Sequence, residues 1–121
     1  MEQNQIVNAD IVFEEFSLGS YRGRLDIIAD ILRVASRNAK KTQIMYQANL
    51  SYKVLQRYLT EIIEASLISF EDEKRCYTLT AKGREFLDAY QEYSEINRRV
   101  EKRLNDVRTS KGVLERLCSN K

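Results

Sequence analysis

The chain has no histidine, no proline and no tryptophan, and only two cysteines. Each shortage removes a class of function. Without an imidazole there is no His base beside a nucleophile and no His ligand for a catalytic metal. Cys76 and Cys118 lie far apart with no second Cys nearby, so a zinc site of the usual spacing is excluded. Both read as free thiols, buried or half-exposed, because a reducing compartment disfavours a disulfide. The glycines, at 19, 23, 83 and 112, are too scattered to build a phosphate-cradling loop. The neighbouring carboxylates Glu14–Glu15 and Glu71–Glu73 have no enclosing apolar pocket to tune one of them as an acid, and read as solvated charge. No apolar run approaches the roughly 18 residues that cross a bilayer. The first residues, MEQNQIVNADIVFEEF, lack the basic start and apolar centre of a signal peptide. The expectation is a protein with no catalytic residues, no cofactor, no metal and no membrane partner, located in the cytoplasm or nucleoid.

What is present begins with charge. A net charge of +2 conceals an asymmetry. Residues 1–20 hold Glu2, Asp10, Glu14 and Glu15 and no cation, whereas residues 21–70 hold eight Arg or Lys against Asp26, Asp30, Glu61 and Glu64. A basic surplus of this kind suits a surface that meets phosphates. The acidic segment 1–20 reads as an N-terminal arm docked through Ile11, Phe13 and Phe16. It is expected to temper non-specific contacts of the basic body.

The apolar spacing assigns elements. Residues 24–37 form an amphipathic helix with Leu25, Ile28, Leu32 and Ala35 on its inner side and Ala29 and Ile31 beside them. Thr42 is expected to cap a short helix ending near Asn49, and Ser51 to cap a longer one. Leu50 and Leu55 stand at the positions of a hydrophobic staple. In the longer helix Val54, Leu55, Tyr58, Leu59, Ile62 and Ile63 face inward, leaving Tyr52, Lys53, Gln56, Arg57 and Thr60 outside. Leu67–Phe70 and Cys76–Leu79 are short strands around the polar turn EDEKR. Thr80 caps a final helix, whose start Gly83 weakens slightly. Helix, turn, helix, hairpin is the order of a winged helix-turn-helix, whose second helix ordinarily enters the major groove.

The last helix carries a second pattern. Phe86, Tyr90, Tyr93, Asn97, Val100, Leu104, Val107, Lys111, Leu114 and Cys118 step by four and three, a heptad register. Gly112 is expected to fray it. The stripe implies a homodimer through a coiled coil, with Tyr90, Tyr93, Asn97, Val100, Leu104 and Val107 at the seam.

The fold class that follows is mainly α with a small β-hairpin: a winged helix-turn-helix plus a long C-terminal coiled-coil helix. The domains are an acidic arm over residues 1–20, a winged helix-turn-helix over 21–85 and a dimerisation helix over 86–121. Candidate DNA-binding residues are Thr42, Gln43, Ser51, Tyr52, Lys53, Gln56 and Arg57 on the two helices, with Lys74 and Arg75 at the hairpin tip. Gln pairs with adenine and Arg with guanine through two parallel hydrogen bonds. Glu71, Asp72 and Glu73 repel phosphate and weaken the hairpin contact. Arg22, Arg24, Lys40 and Lys41 form the fallback surface.

KTQIMYQANLSYKVLQRYL, then LIS, then YTLTAKGREFL and a long heptad helix, resembles the archaeal winged-helix DNA-binding proteins of the Sulfolobus 10a type. Ile44–Tyr52 and Leu79–Gly83 are the specific parts. The resemblance implies double-stranded DNA as partner, Ser51–Ala65 as the reading helix, and antiparallel pairing of the terminal helices in a homodimer. The extra acidic arm and near-neutral charge depart from the pattern and favour a site-selective transcription regulator. The alternatives are a protein–protein interaction module and a nucleoid-associated architectural protein.

Overall fold

The structure is a computed structural model that describes residues 22–120. The acidic arm lies outside the described residues. Four helices and one hairpin follow in the order α1 (Arg24–Ala35), α2 (Lys41–Gln47), α3 (Tyr52–Glu64), β1 (Ile68–Glu71), β2 (Cys76–Leu79) and α4 (Ala81–Leu117). The described chain is thus mainly helical, with a winged helix-turn-helix and a long C-terminal helix, in agreement with the sequence pattern.

α1 begins at Gly23, whose N–H donates to Asp26 Oδ2 at 2.8 Å and so loses one of the orphan donors of a helix start. Its buried side is Ile28, Ala29, Ile31, Leu32, Val34 and Ala35. Leu25, assigned inward by its spacing, is 39% exposed. It stands in the first turn, before the helix reaches the core.

α2 starts one residue before the expected cap. Lys40 is the N-cap, because the Gln43 carboxamide reaches back to accept the Lys40 N–H at 2.8 Å. Thr42 is then an exposed residue inside the first turn. Ile44 and Ala48 supply the buried side. The helix closes through a left-handed Asn49 (φ 54°), with Leu50 N–H donating to Met45 O at 3.0 Å and Asn49 N–H to Tyr46 O at 3.2 Å. This pair satisfies two terminal carbonyls and turns the chain sharply. Ser51 follows as the cap of α3, its hydroxyl accepting from Val54 N–H at 3.3 Å. Leu50 packs on the core beside the fully buried Leu55. Leu55, Leu59 and Ile62 are buried, whereas Ile63 is 40% exposed.

β1 is one residue later than its apolar spacing suggests. Leu67 N–H is bound to Ile62 O at the α3 exit, which keeps Leu67 in the turn after α3, although its carbonyl still accepts from Thr80 N–H across the hairpin at 3.2 Å. The strands pair antiparallel with Ile68 opposite Leu79 and Phe70 opposite Tyr77. A two-stranded hairpin is marginal alone. Here Ala39 and Tyr77 exchange two backbone hydrogen bonds (3.1 and 2.7 Å), which ties β2 to the loop before α2. Cys76 is buried within this arrangement; Cys118 is exposed, contrary to the expectation that both thiols are at least half covered.

Thr80 caps α4: its hydroxyl accepts from Gly83 N–H at 2.9 Å and donates to Ser66 O at 2.6 Å. Gly83 does more than weaken this turn. A Cβ there would lie 2.1 Å from Leu67 O and 2.6 Å from Leu79 Cδ1, so only glycine lets α4 start against the hairpin. Gly112 neither frays nor breaks α4, which continues to Leu117. One glycine costs about 1 kcal/mol relative to alanine, too little to end a helix flanked by good helix formers.

The compact body runs from Arg22 to Glu92 and takes in the first turns of α4. Phe86 and Leu87 pack on the core. Tyr90, assigned by the heptad register to a dimer seam, donates to Asp26 Oδ1 and lies under Arg33, whose Cζ is 5.4 Å from the ring centroid. These contacts join Tyr90 to α1. Burial, then the bond to Asp26 and its negative charge, push the Tyr90 hydroxyl up from 10.0 to about 12. From Tyr93 onward α4 belongs to the second compact unit. There Ile96, Val100, Val107, Leu114 and Leu117 are exposed, while Asn97 and Leu104 are half-buried.

Candidate nucleic-acid interface

Not every cation in the basic stretch is available to a partner. Arg22 donates to Ala48 O at 2.6 Å and Asn49 O at 3.0 Å, and pairs with Asp30 at 2.9 Å. It thus fastens the turn between α2 and α3 to α1. Arg33 also meets Asp30, at 3.0 Å, and Arg24 pairs with Glu61. Arg22 is about one-third exposed in this network, whereas the Arg24 and Arg33 side chains remain more than half exposed.

The exposed side of α3 differs. Tyr52, Lys53, Gln56, Arg57 and Thr60 are all exposed, and the first turn holds no acidic residue. Lys53 stands in that turn, against the positive end of the helix dipole. Such a placement gains nothing for the fold and attracts an anion from outside. Arg57 extends along the same side, its Cζ 6.0 Å from the Tyr58 ring centroid. No carboxylate bonds Lys53 or Arg57 among the described residues. The acids of α3, Glu61 and Glu64, are confined to its C-terminal half. The N-terminal half of the second helix is the part that meets base edges in a helix-turn-helix.

Lys41, the first residue of α2, links the two helices. Its Nζ lies 4.4 Å from the Tyr52 ring centroid and 3.3 Å from the Tyr52 hydroxyl, and it donates to Gln56 Oε1. A cation over an aromatic face is attracted by the ring's quadrupole. The contact holds Tyr52 and Gln56 as a pair one turn apart.

Comparison with known proteins decides the family. A winged helix-turn-helix profile matches residues 21–98, which is more than half of the chain. The chain belongs to the winged helix-turn-helix family. This winged helix-turn-helix protein is 38% identical over 72 residues to an uncharacterised protein of Methanocaldococcus jannaschii, a match covering 59% of the chain and 33% of that relative. The chain thus spans about a third of the relative's length. The crystal structure of Sso10a-2, a DNA-binding protein from Sulfolobus solfataricus, superposes with a TM-score of 0.57. That match covers 83% of this chain and 100% of the other at 24% identity. The resemblance to the Sulfolobus 10a type therefore has a structural counterpart in a shared fold.

Within this winged helix-turn-helix protein the structure brings together only some of the residues singled out by sequence. Tyr52 and Gln56 meet through Lys41, with Lys53 and Arg57 on the same exposed helix side. Ser51 and Gln43 are engaged in helix caps. Thr42 is exposed on α2. Lys74 and Arg75 are exposed in the hairpin turn, where Arg75 is left-handed (φ 51°), and no hydrogen bond or ion pair joins them to α3. Two residues were undervalued. Lys41 gave no local signal because its partners lie 11 and 15 positions away across a turn. Tyr46, which the sequence reading gave no role, is 87% exposed on α2. Among the described residues no group of three or more His, Cys, Asp or Glu side chains gathers to hold a metal, and no helix is long and apolar enough to cross a membrane.

Proposed function

We propose that the protein is a homodimeric regulator of transcription that binds double-stranded DNA in the nucleoid, with α3 in the major groove. The carrying observation is the exposed N-terminal half of α3, whose Lys53 and Arg57 have no carboxylate partner while the arginines of α1 are paired. The shared fold with Sso10a-2, itself a DNA-binding protein, supports the reading. So does the exposed apolar series Ile96, Val100 and Val107 on α4, which suits pairing with the same helix of a second copy. A net charge of +2 favours site selection over general coating of DNA.

Affinity built on phosphate contacts falls steeply with salt. A mobility shift on random duplex DNA is expected to show binding at low salt that weakens markedly at moderate salt. No retardation at either condition rejects the reading in favour of a protein–protein module.

A further inference from the structure

Arg22 fixes where the preceding chain meets the body. Its guanidinium donates to Ala48 O at 2.6 Å and to Asn49 O at 3.0 Å, at the turn that leads into α3. Residues 1–20 are therefore joined to the body within one arginine side chain of that turn. Beyond it stand Lys53 and Arg57, which meet no carboxylate among the described residues. The nearby acids of the body are engaged elsewhere, Asp30 by Arg22 and Arg33 and Glu61 by Arg24. Residues 1–20 hold Glu2, Asp10, Glu14 and Glu15 and no Lys or Arg. Glu15 and Glu14 stand seven and eight positions before Arg22. At about 3.3–3.6 Å per residue they can lie up to roughly 25–29 Å from it. Arg57 is six residues beyond the Ser51 cap, about 9 Å along the helix at about 1.5 Å per residue. Both carboxylates thus have the reach to meet both cations. Phe16, closer still to Arg22, has the same reach to the Tyr52 ring, which is 62% exposed.

We propose that the exposed N-terminal half of α3 is also the docking surface of residues 1–20 of the same chain, and that duplex DNA must displace them. The displacement rests on the DNA-binding reading above; the docking does not. Charge complementarity selects this occupant, and the Arg22 anchor places it in the same chain. Tethering gives a ligand an effective concentration on the order of millimolar. Exposed ion pairs are individually weak. At that concentration a few of them still cover the surface part of the time, and they yield to a phosphate backbone. Displacement comes before any base is read, so the segment lowers affinity for every duplex by one factor. The attraction is screened over roughly 10 Å at 0.1 M salt, so that factor shrinks as salt rises.

The test uses the full chain with Glu2→Gln, Asp10→Asn, Glu14→Gln and Glu15→Gln, which keeps its length and moves the net charge from +2 to +6. A control makes the same change of charge on α4 through Glu85→Gln, Asp88→Asn, Glu92→Gln and Asp106→Asn, all exposed positions. In titrations of one random duplex, the first variant is expected to bind about three- to tenfold more tightly than wild type in dilute buffer, the scale of a few exposed ion pairs. The gain is expected to shrink as salt is added, and the control to gain less. A second measurement contains no DNA. In NMR spectra of isotope-labelled protein at low salt, neutralising residues 1–20 is expected to shift the amide signals of residues 52–57 and to leave those of residues 28–35 in place, at any protein concentration. The inference is overturned by unmoved signals at residues 52–57, by shifts that depend on protein concentration, by an equal gain in the control, or by no gain in a chain that does bind duplex. If wild type and both variants all fail to bind duplex while the signals of residues 52–57 still move, the docking stands and the DNA-binding reading falls, taking the displacement with it.

Discussion

In and around α1, Arg22, Arg24 and Arg33 each meet a carboxylate, and Arg22 also closes two carbonyls at the end of α2. In α3, a helix of nearly the same length, Lys53 and Arg57 meet none. Both helices pack an apolar side into the same core, so the difference lies in their outer faces. The carboxylates that neutralise α1 sit on α1 itself (Asp30) and on the far half of α3 (Glu61). The near half of α3 has no acid within its first turn. A basic surplus counted along the chain therefore overstates the cations left without a carboxylate: part of it is joinery.

Arg22 offers the largest way to break this comparison. Its guanidinium is about one-third exposed and holds Asp30 and two backbone carbonyls at once. Arg22→Ala leaves those carbonyls without their charged donor, at the turn that sets the angle between α2 and α3. Hydrogen bonds to charged groups contribute about 1.5–3 kcal/mol each when buried, and partial exposure places the expected loss near the lower end, about 1.5–2 kcal/mol. Urea denaturation followed by circular dichroism measures it. An unchanged midpoint would return Arg22 to the pool of cations open to DNA.

The division of labour between helices was only partly legible in the sequence. Element order, the Ser51 and Thr80 caps, the buried Leu55, Leu59 and Ile62, and the exposed series Tyr52, Lys53, Gln56 and Arg57 all follow from local spacing, and the structure has them there. Local spacing does not report the contacts that a distant part of the chain decides. Arg22 is joined to Ala48 and Asn49, 26 and 27 positions on, and nothing near Arg22 announces it. Gly83 reads locally as a weak helix former, but the Leu67 carbonyl fixes it. Tyr90 fits the heptad register by spacing, yet Asp26, 64 positions earlier, takes its hydroxyl. Periodicity reports which side of a helix is apolar and not what covers it.

Tyr90 allows the comparison to be sharpened by pH. The folded protein holds the hydroxyl near 12, through burial first and then the Asp26 carboxylate, against about 10 in the unfolded chain. A raised folded value favours the protonated fold: its contribution is complete below pH 10 and is lost as pH rises from 10 through about 12. Wild type is expected to be more stable than Tyr90→Phe by about 0.5–1.5 kcal/mol near neutral pH, the net scale of one hydrogen bond. That advantage should shrink across the alkaline window. Taking the difference between the two proteins at each pH cancels the lysines and other tyrosines that also titrate there. A difference that stays flat to pH 12 would separate Tyr90 from the anchoring of α4 on α1.

The smallest expected effect on the fold is the most informative. Lys53 and Arg57 are exposed, outside the core, and joined to no carboxylate among the described residues. Removing both with Lys53→Ala and Arg57→Ala is expected to change stability by no more than about 0.5 kcal/mol, as for surface positions away from caps and networks. Relief of Lys53 from the helix dipole and loss of Arg57 packing on Tyr58 act in opposite directions and keep the sum small. The consequence for DNA is of another kind. If each side chain neutralises one phosphate, the slope of log affinity against log salt falls by about one per contact, hence by about two for the pair. If Arg57 instead meets a guanine edge, discrimination at one position falls by about 1–3 kcal/mol and the slope by only about one. Binding titrations at several salt concentrations separate these outcomes. An unaltered isotherm with an unaltered fold would remove α3 as the DNA face, and with it the contrast between the two helices, because the unpaired cations would then have no partner to explain them.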